Sequence, residues 1–375
     1  MRKTFCAILL LIVLAANSFA AAAASPAPAE IPEVKFLING NPIVLSDVPL
    51  GLNGRTMLPL RAVLVALGVP DDEEHIKWDG NEKSVSINYN GSSIYLKLDS
   101  KTAYIDGSAV EMDVAPFGYD KNQRIYLPVR FTARAVGKEA AWDDYSRTVY
   151  LRDREAYSGT AAILEKTEAI MKAAARAKID TEMAVTIVNQ GEGTGFDVKI
   201  KEEQDRTAGI LHSEITLPIL ENLVTFENYY KDNIEYGKGM GNEKWKKTPM
   251  KEKDFKELFD NEMSLLSINS MEMLSATMSQ LEGGNPDEIL LAGKVYPKGI
   301  VKNLAVYSGM EKLEAKEYSA EVTVDRNTGL LKSIFIEISG RFKNKDGYSE
   351  VHAEIKAVYS EINGDFVLSL PDMGN

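Results

Sequence analysis

The sequence predicts an α+β fold in two parts, tandem hairpin and short-helix repeats followed by a curled, half-barrel-like antiparallel sheet with packed helices. Three observations predict it. Two tight-turn dipeptides, Asn39-Gly40 and Asp106-Gly107, each sit between apolar runs and recur with their flanking phrases at a near-constant offset. The second half alternates apolar and polar residues over many short segments, the period of half-buried strands. Residues 160–178 and 251–281 instead carry apolar side chains at helical spacing.

The chain begins with an address. Arg2 and Lys3 precede an apolar run over residues 5–16, then Ser18, Phe19 and a stretch of small residues to Ala24. A basic start, a short apolar core and a small-residue exit fit a secretory signal peptide over residues 1–24, cleaved after Ala20 or Ala24. The core is shorter than the ~20 residues of a membrane span, so no transmembrane span is expected in the mature chain. Cys6 stands before the core, where it gives no lipidation motif, and it leaves with the leader. No disulfide or thiol nucleophile is then expected. Residues 25–33 are a Pro/Ala linker.

Two copies of one unit fill residues 34–151. The phrase Met57-Leu-Pro-Leu-Arg61 through Gly68 aligns with Tyr126-Leu-Pro-Val-Arg130 through Gly137, and Trp78-Asp79 aligns with Trp142-Asp143. Each phrase predicts a strand, then a short helix that starts after the proline and stops at the glycine. Asn90-Gly91 predicts a third hairpin joining the copies. Arg61 and Arg130 at equivalent helix starts, with Asp79 and Asp143 beside equivalent tryptophans, suggest an internal Arg to Asp bridge in each copy. The acidic run Asp71-Asp72-Glu73-Glu74 lacks the ligand spacing of a calcium loop and is expected to be a solvated loop.

These repeated Leu-Pro-x-Arg, Gly and Trp-Asp phrases resemble the copper amine oxidase N-terminal (stalk) domain-like family of secreted Gram-positive proteins. In the oxidases this domain is separate from the catalytic one, so the resemblance implies an interaction module. His75, His212 and His352 are too scattered for the three-histidine copper site, and Asn88-Tyr89-Asn90 lacks the acidic residue of the quinone motif. Amine oxidation is not expected.

A polar junction at residues 152–159 leads to the amphipathic helix at 160–178. Strands are then expected at residues 181–189, 195–202, 206–216, 223–236 and 243–248. A helix over 251–281, broken near 267–270, carries the stripe Phe255, Leu258, Phe259, Met263, Leu266, Met273, Leu274, Met278 and Leu281. Strands return at 293–308, 317–325, 330–339, 348–362 and 366–370, with a hairpin at Asp325-Arg-Asn-Thr-Gly329.

Tyr229-Tyr-Lys-Asp-Asn-Ile-Glu-Tyr236, the following Glu243-Lys-Trp245-Lys-Lys, and Val322-Thr-Val-Asp-Arg-Asn-Thr-Gly329-Leu-Leu-Lys resemble the lipoprotein-carrier and lipid-binding lipoprotein superfamily, in its uncharacterised Gram-positive branch. The resemblance spans residues 159–372 and places the second domain at 160–375. It implies a concave apolar cavity for an acyl chain or lipoprotein. Trp245, Phe255, Leu258, Phe259, Met263, Met271, Met273 and Met278 are its candidate lining, since methionine adapts to variable apolar ligands. The alternative is that the methionines only fill core.

Composition narrows the function. The net charge is −12; residues 34–151 hold 13 basic and 15 acidic residues, and residues 152–375 hold 28 and 38. Such a balance argues against nucleic acid, and scarce His and Cys argue against a metal centre or cofactor. Lys244, Lys246, Lys247, Lys251 and Lys253 form a local basic cluster beside the methionine-rich stretch. Gly237-Lys-Gly239-Met-Gly241 joins two strands and so is a turn rather than a phosphate loop. No catalytic phrase occurs, and Leu370-Pro-Asp-Met-Gly374 lacks the threonine of a cell-wall sorting signal. The expectation is a secreted, cell-envelope-associated, non-enzymatic protein that meets a hydrophobic ligand, an envelope protein or a wall polymer. A structural or adhesive surface protein with no ligand cavity is the alternative.

Overall fold

The computed structural model describes residues 27–144, 146–189, 191–219, 222–239, 242–261, 271–295, 313–344 and 347–372. Up to residue 153 the strands are β1 (Ala29–Glu30), β2 (Lys35–Ile38), β3 (Asn41–Ile43), β4 (Leu50–Leu52), β5 (Arg55–Pro59), β6 (Ile76–Asp79) and β7 (Ser84–Tyr89). They continue as β8 (Ser92–Lys97), β9 (Thr102–Ile105), β10 (Ser108–Glu111), β11 (Phe117–Tyr119), β12 (Arg124–Pro128), β13 (Lys138–Asp143) and β14 (Thr148–Asp153). Helices α1 (Leu60–Ala66) and α2 (Val129–Ala135) follow β5 and β12. All three tight-turn dipeptides close hairpins: Asn39 and Gly40 take φ of 48° and 80°, Asn90 and Gly91 49° and 78°, Asp106 and Gly107 50° and 78°. Positive φ at both positions is what a type I′ turn requires, and its twist matches that of the strands it joins.

Contacts divide the chain into two units, Leu45–Val136 with the residues up to Val34, and Lys35–Val44 with Gly137–Asn375. In the first unit the two copies of the repeat meet through the same three residues. Met57, Leu58 and Pro59 pair antiparallel with Pro128, Leu127 and Tyr126, and both leucines are fully buried. Proline at the end of each strand has no N–H to lose and sets φ for the helix that follows. Both helices close into a positive-φ glycine, Gly68 or Gly137. The five-stranded sheets β1-β4-β5-β12-β11 and β10-β9-β8-β7-β6 complete this unit.

The second unit contains the strands β2, β3, β13 and β14 as one sheet, ordered β13-β14-β2-β3, in which β14 and β2 run parallel. The repeat reading keeps residues 34–151 together, and this parallel pairing is what draws both ends of the repeat region into the second unit. The polar junction expected at 152–159 is instead the end of β14 and the first turns of α3 (Arg154–Ala173). Its charged side chains are used: Asp153 accepts from Lys138 at 2.5 Å and Asn39 at 2.7 Å, and Arg154 meets Glu139 at 3.2 Å.

Beyond α3 come β15 (Arg176–Asn189), β16 (Glu192–Asp205), β17 (Ile210–Ile219), β18 (Asn222–Lys231), β19 (Ile234–Gly239) and β20 (Asn242–Pro249). Helices α4 (Glu252–Asn261) and α5 (Met271–Thr277) precede β21 (Met278–Gln280), β22 (Glu288–Gly293), β23 (Leu313–Asp325), β24 (Leu331–Asn344) and β25 (Gly347–Ser360). These strands form one eleven-stranded antiparallel sheet, ordered β20-β19-β18-β17-β16-β15-β25-β24-β23-β22-β21, curled as a half-barrel. Leu164 and Met171 of α3 and Leu274 of α5 pack on Ile179, Val322, Ile334, Ile336, Ile355 and Tyr359 of that sheet.

Four expectations need correction. The strand expected over 223–236 is a hairpin, β18 and β19, turned by Asp232 and Asn233 at φ of 53° and 60°; polar residues that tolerate the left-handed region interrupt the run. The helix expected to continue to 281 ends at Thr277, and Met278 enters a strand paired with Gly293. A Cβ at Gly293 would lie 2.3 Å from the Thr277 carbonyl oxygen, so only glycine lets β22 approach this helix end. The strand expected at 366–370 does not form. The strand expected over 293–308 ends at Gly293, and residues 296–308 lie outside the described residues, as does the helix break near 267–270.

Arg152 joins these parts. Its Nη1 donates to the carbonyls of Ser275, at 2.7 Å, and Met278, and to Thr160 Oγ1 at 3.3 Å, while Nη2 donates to Ser279 Oγ at 3.1 Å. The residue is 8% exposed. Replacing Arg152 by Met should lower the stability of the second unit by about 2–4 kcal/mol, because buried carbonyls then lose a charged donor. Replacing half-exposed Arg61 by Ala should cost within about 1 kcal/mol. Urea unfolding of both variants checks the contrast, and equal midpoints would refute it.

Candidate functional site

Antiparallel register fixes which side chains share a face of the large sheet. Ile179 lies opposite both Tyr359 and Glu202, Met183 opposite both Ile355 and Val198, and Val185 opposite both Ala353 and Phe196. The face that packs on α3 and α5 therefore continues onto β16. From there Ile200 pairs with Ile215, Ile215 with Phe226, and Leu217 with Val224. Over β15, β25, β24 and β23 these side chains are mostly buried. Over β16, β17 and β18 the apolar row Phe196, Val198, Ile200, Ile215, Leu217 and Phe226 is only half-buried.

One end of the same face is polar. Glu202 and Gln204 follow Ile200 at two-residue spacing, and Ser213 and Asn228 continue the Glu202 row across the sheet. Gln204 and Tyr359 are 3% and 6% exposed, and among the described residues neither the Gln204 amide atoms nor the Tyr359 hydroxyl has a hydrogen-bond partner. Burial pushes the Glu202 carboxyl up to about 7, since leaving water disfavours its charged form. Burial also raises the Tyr359 phenol, with the nearby Glu202 charge adding to it.

The reverse face holds a different cluster. His212 stacks on Tyr229 with ring centres 4.3 Å apart, and Tyr229 meets Trp245 edge-on at 5.5 Å. Lys238 lies over the Trp245 ring and Lys247 over Tyr236. The His212 nitrogens face Glu203 at 3.2 Å and Glu227 at 3.3 Å. Burial works to raise the Glu203 carboxyl, but Lys178 and His212 outweigh it and hold it low. Tyr229 is pushed up to about 12 by burial and by Glu227. Nearby, Phe335, Lys356, Glu182 and Lys199 follow one another in register across the same face. They contribute to the lining of a depression of about 330 Å³.

The structure separates the residues proposed from sequence. Trp245 belongs to the reverse face with Tyr229 and Tyr236. Met273 packs on Ala141 and Tyr150 of the smaller sheet, and Met278 is fully buried in the main core. Met271 packs against that core, partly buried. Phe255 and Leu258 are half-buried on α4. Met263 and the Phe259 side chain lie outside the described residues. Glu202, Gln204 and Tyr359 were not expected; the signal was there in the way polar residues take over the inward positions of β16 after Ile200.

The repeat residues act as turn supports. Arg61 reaches Asp71 at 2.6 Å, Glu73 at 3.7 Å and the Ile76 carbonyl at 2.9 Å, rather than Asp79, and so anchors the acidic loop, whose carboxylates stay solvated as expected. Asp79 accepts the N–H groups of Asn81 and Glu82, and buried Asp143 accepts from Ser146 N and Oγ. Each aspartate thereby shapes the turn after its tryptophan. The Arg147 guanidinium lies over Trp142, while Trp78 is 41% exposed. Arg130 acts electrostatically on Asp113, whose carboxyl is held low chiefly by Arg55.

Among the described residues no three His, Cys, Asp or Glu side chains converge as a metal ion would need. No described helix is long and apolar enough to cross a membrane.

Residues 37–151 match the family model described as the copper amine oxidase N-terminal domain. No curated protein matches the chain. Solved structures similar to it include the lipoprotein LppX of Mycobacterium tuberculosis, at 11% identity and a TM-score of 0.32, over 56% of this chain and 99% of LppX. LprF of Mycobacterium bovis is 10% identical with a TM-score of 0.31, over 58% and 98%. A LolA superfamily protein of Nitrosomonas europaea is 10% identical with a TM-score of 0.19, over 57% and 95%.

The Glu202 shift carries a sign. Its folded-state value near 7 exceeds the ordinary 4.5, so folding is favoured by the protonated form and stability falls as pH rises from about 4.5 through 7. Glu202→Gln should match the parent at pH 5 and exceed its stability at pH 8 by as much as roughly 2–3 kcal/mol. Urea midpoints at the two pH values test this; a variant less stable than the parent at pH 8 would contradict it.

Proposed function

We propose that the chain is a secreted, non-enzymatic cell-envelope protein in which residues 34–151 act as a stalk-like interaction module and residues 160–375 bind a hydrophobic ligand, an acyl lipid or the lipid part of a lipoprotein. One observation carries the reading: the apolar face of the large sheet outruns its core. Phe196, Val198, Ile200, Ile215, Leu217 and Phe226 remain half-buried where the same face over β24 and β25 is fully buried. A contiguous, partly exposed apolar face on a curled sheet suits an acyl chain, which needs area and no directed contacts. The acidic balance of residues 152–375 repels anionic surfaces, so burial of the chain rather than headgroup charge supplies the affinity. The leader motif of residues 1–24 supports secretion.

A second reading, a structural or adhesive protein with a filled core, is favoured by the methionines. Met273 and Met278 are 3% and 0% exposed, as core packing by these two residues would require.

Native mass spectrometry of the protein from its secreting host separates the two readings: co-purified lipid supports the first, and ligand-free protein that also fails to bind a neutral apolar dye supports the second. Ile215→Asp and Phe226→Asp should each reduce binding of N-phenyl-1-naphthylamine at least about tenfold while the protein stays folded, because both sites are half-exposed. Met278→Asp should unfold the second unit instead. Dye titration with circular dichroism reads both, and undiminished dye binding by both aspartate variants would overturn the placement.

A further inference from the structure

Three side chains on one patch of the helix-packed face are buried and have no hydrogen-bond partner among the described residues. They are Gln204, with both amide atoms, Tyr359, with its hydroxyl, and Thr167 of α3, with its hydroxyl. Their exposures are 3%, 6% and 0%. They border common ground: Gln204 lies opposite Ala177, Tyr359 opposite Ile179, and Thr167 stands between Leu164 and Met171, which pack in the core that holds Ala177, Ile179 and Tyr359. Glu202, also opposite Ile179, acts on Tyr359 through its charge. Ala177, the residue opposite Gln204, is small and carries no polar side-chain atom that could pair with its amide. An unpaired buried amide or hydroxyl costs about 1–3 kcal/mol, and several together on an otherwise apolar face are explained by a partner that arrives from outside the chain.

We infer that Gln204, Tyr359 and Thr167 receive the uncharged, hydroxyl-bearing head of the lipid whose acyl chain lies along the apolar row, a glycerol ester rather than a phosphate. The inference rests on the proposed function. The amide offers a donor and an acceptor, and each hydroxyl can be either, which matches a polyol. The nearby cations are already engaged: Arg176 with Asp205 at 2.9 Å, Lys178 with Glu203 at 2.6 Å, and Arg206 with the Lys172 carbonyl at 2.9 Å. A phosphate would lie beside the Glu202 carboxyl, while Arg176 and Lys178 already face carboxylates of their own.

The test is displacement of bound N-phenyl-1-naphthylamine from the full chain by 1-monolauroylglycerol, dodecyl phosphate or dodecyltrimethylammonium, each below its micelle-forming concentration. The glycerol ester should displace the dye at a concentration at least about tenfold lower than either charged amphiphile. Tyr359→Phe and Gln204→Leu should each shrink that preference by about 3–10-fold, the worth of one lost hydrogen bond, the preference being taken for each variant as a ratio of displacing concentrations against its own dye affinity. Tyr359→Phe removes only a hydroxyl and guards against a Gln204 variant that fails to fold. Equal displacement by all three amphiphiles, a preference for a charged head, or a preference unaltered in Tyr359→Phe overturns the head-group inference while the apolar reading stands. Failure of the parent protein to bind the dye overturns both.

Discussion

Arg152 is the constraint on which the second unit depends. A helix leaves its last carbonyls without partners, and α5 ends in the interior, where water cannot supply them. The Arg152 guanidinium does so from β14, reaching Ser275 and Met278 while also holding Thr160 of α3 and Ser279 of β21. Burial disfavours its charge, a cost offset by donors aimed at the negative end of a helix. Because the donor sits on β14, that strand makes its contacts with the second unit. Its parallel pairing with β2 then brings Lys35–Val44 along. A second arginine plays a similar part at the end of α3, where Arg206 binds the Lys172 carbonyl. Both helices that pack on the sheet thus end on a guanidinium, which fixes where each helix stops on the sheet.

Much of the fold was legible because its signals are local. Turn dipeptides need positive φ whatever surrounds them, so the hairpins at Asn39, Asn90 and Asp106 could be read directly, as could the Asp325 turn, whose carboxylate gathers the N–H groups of Asn327 and Thr328. The proline starts and glycine stops of α1 and α2 are equally local. Signals that depend on the partner misled. Alternation shows that two faces exist but not which one is covered. The turn at Asp232 and Asn233 resets the parity between β18 and β20, and it places Trp245 beside Tyr229 on the reverse face. Met278 is a related case: it has helical spacing from Leu274, yet pairing with Gly293 makes it a strand residue.

Arg61 and Asp79 illustrate a further limit. Equivalent positions in two copies imply equivalent roles, and Asp79 and Asp143 do share one, each shaping the turn after its tryptophan. Their common partner is backbone and nearby side chains in that turn, however, and Arg61 is committed to the acidic loop that follows its own helix. Repetition in sequence identifies residues that matter to the repeat without identifying what they touch. The same holds for the site: Gln204 and Glu202 look like any polar stretch of a strand, and only the register with Ala177 and Ile179 shows that they point inward.

The two faces of the large sheet divide polar residues according to whether partners are at hand. On the reverse face the charged groups answer one another: Glu203 has Lys178 and His212, Glu182 has Lys199, and His212 stands between Glu203 and Glu227. Such pairs are partly solvated and give that face little net demand for anything else. On the helix-packed face Gln204, Tyr359 and Thr167 are more deeply buried and have no hydrogen-bond partner among the described residues, so each one raises the free energy of the folded chain. Stability alone would favour apolar residues at Gln204, Glu202 and Tyr359, because replacing buried polar groups by well-packed apolar ones is often neutral or stabilising. Their concentration at one end of an apolar row therefore sets a polarity along the sheet face, apolar toward Phe196 and Leu217, hydrogen-bonding toward Gln204. An amphiphile with a short neutral head is the molecule whose own polarity runs the same way.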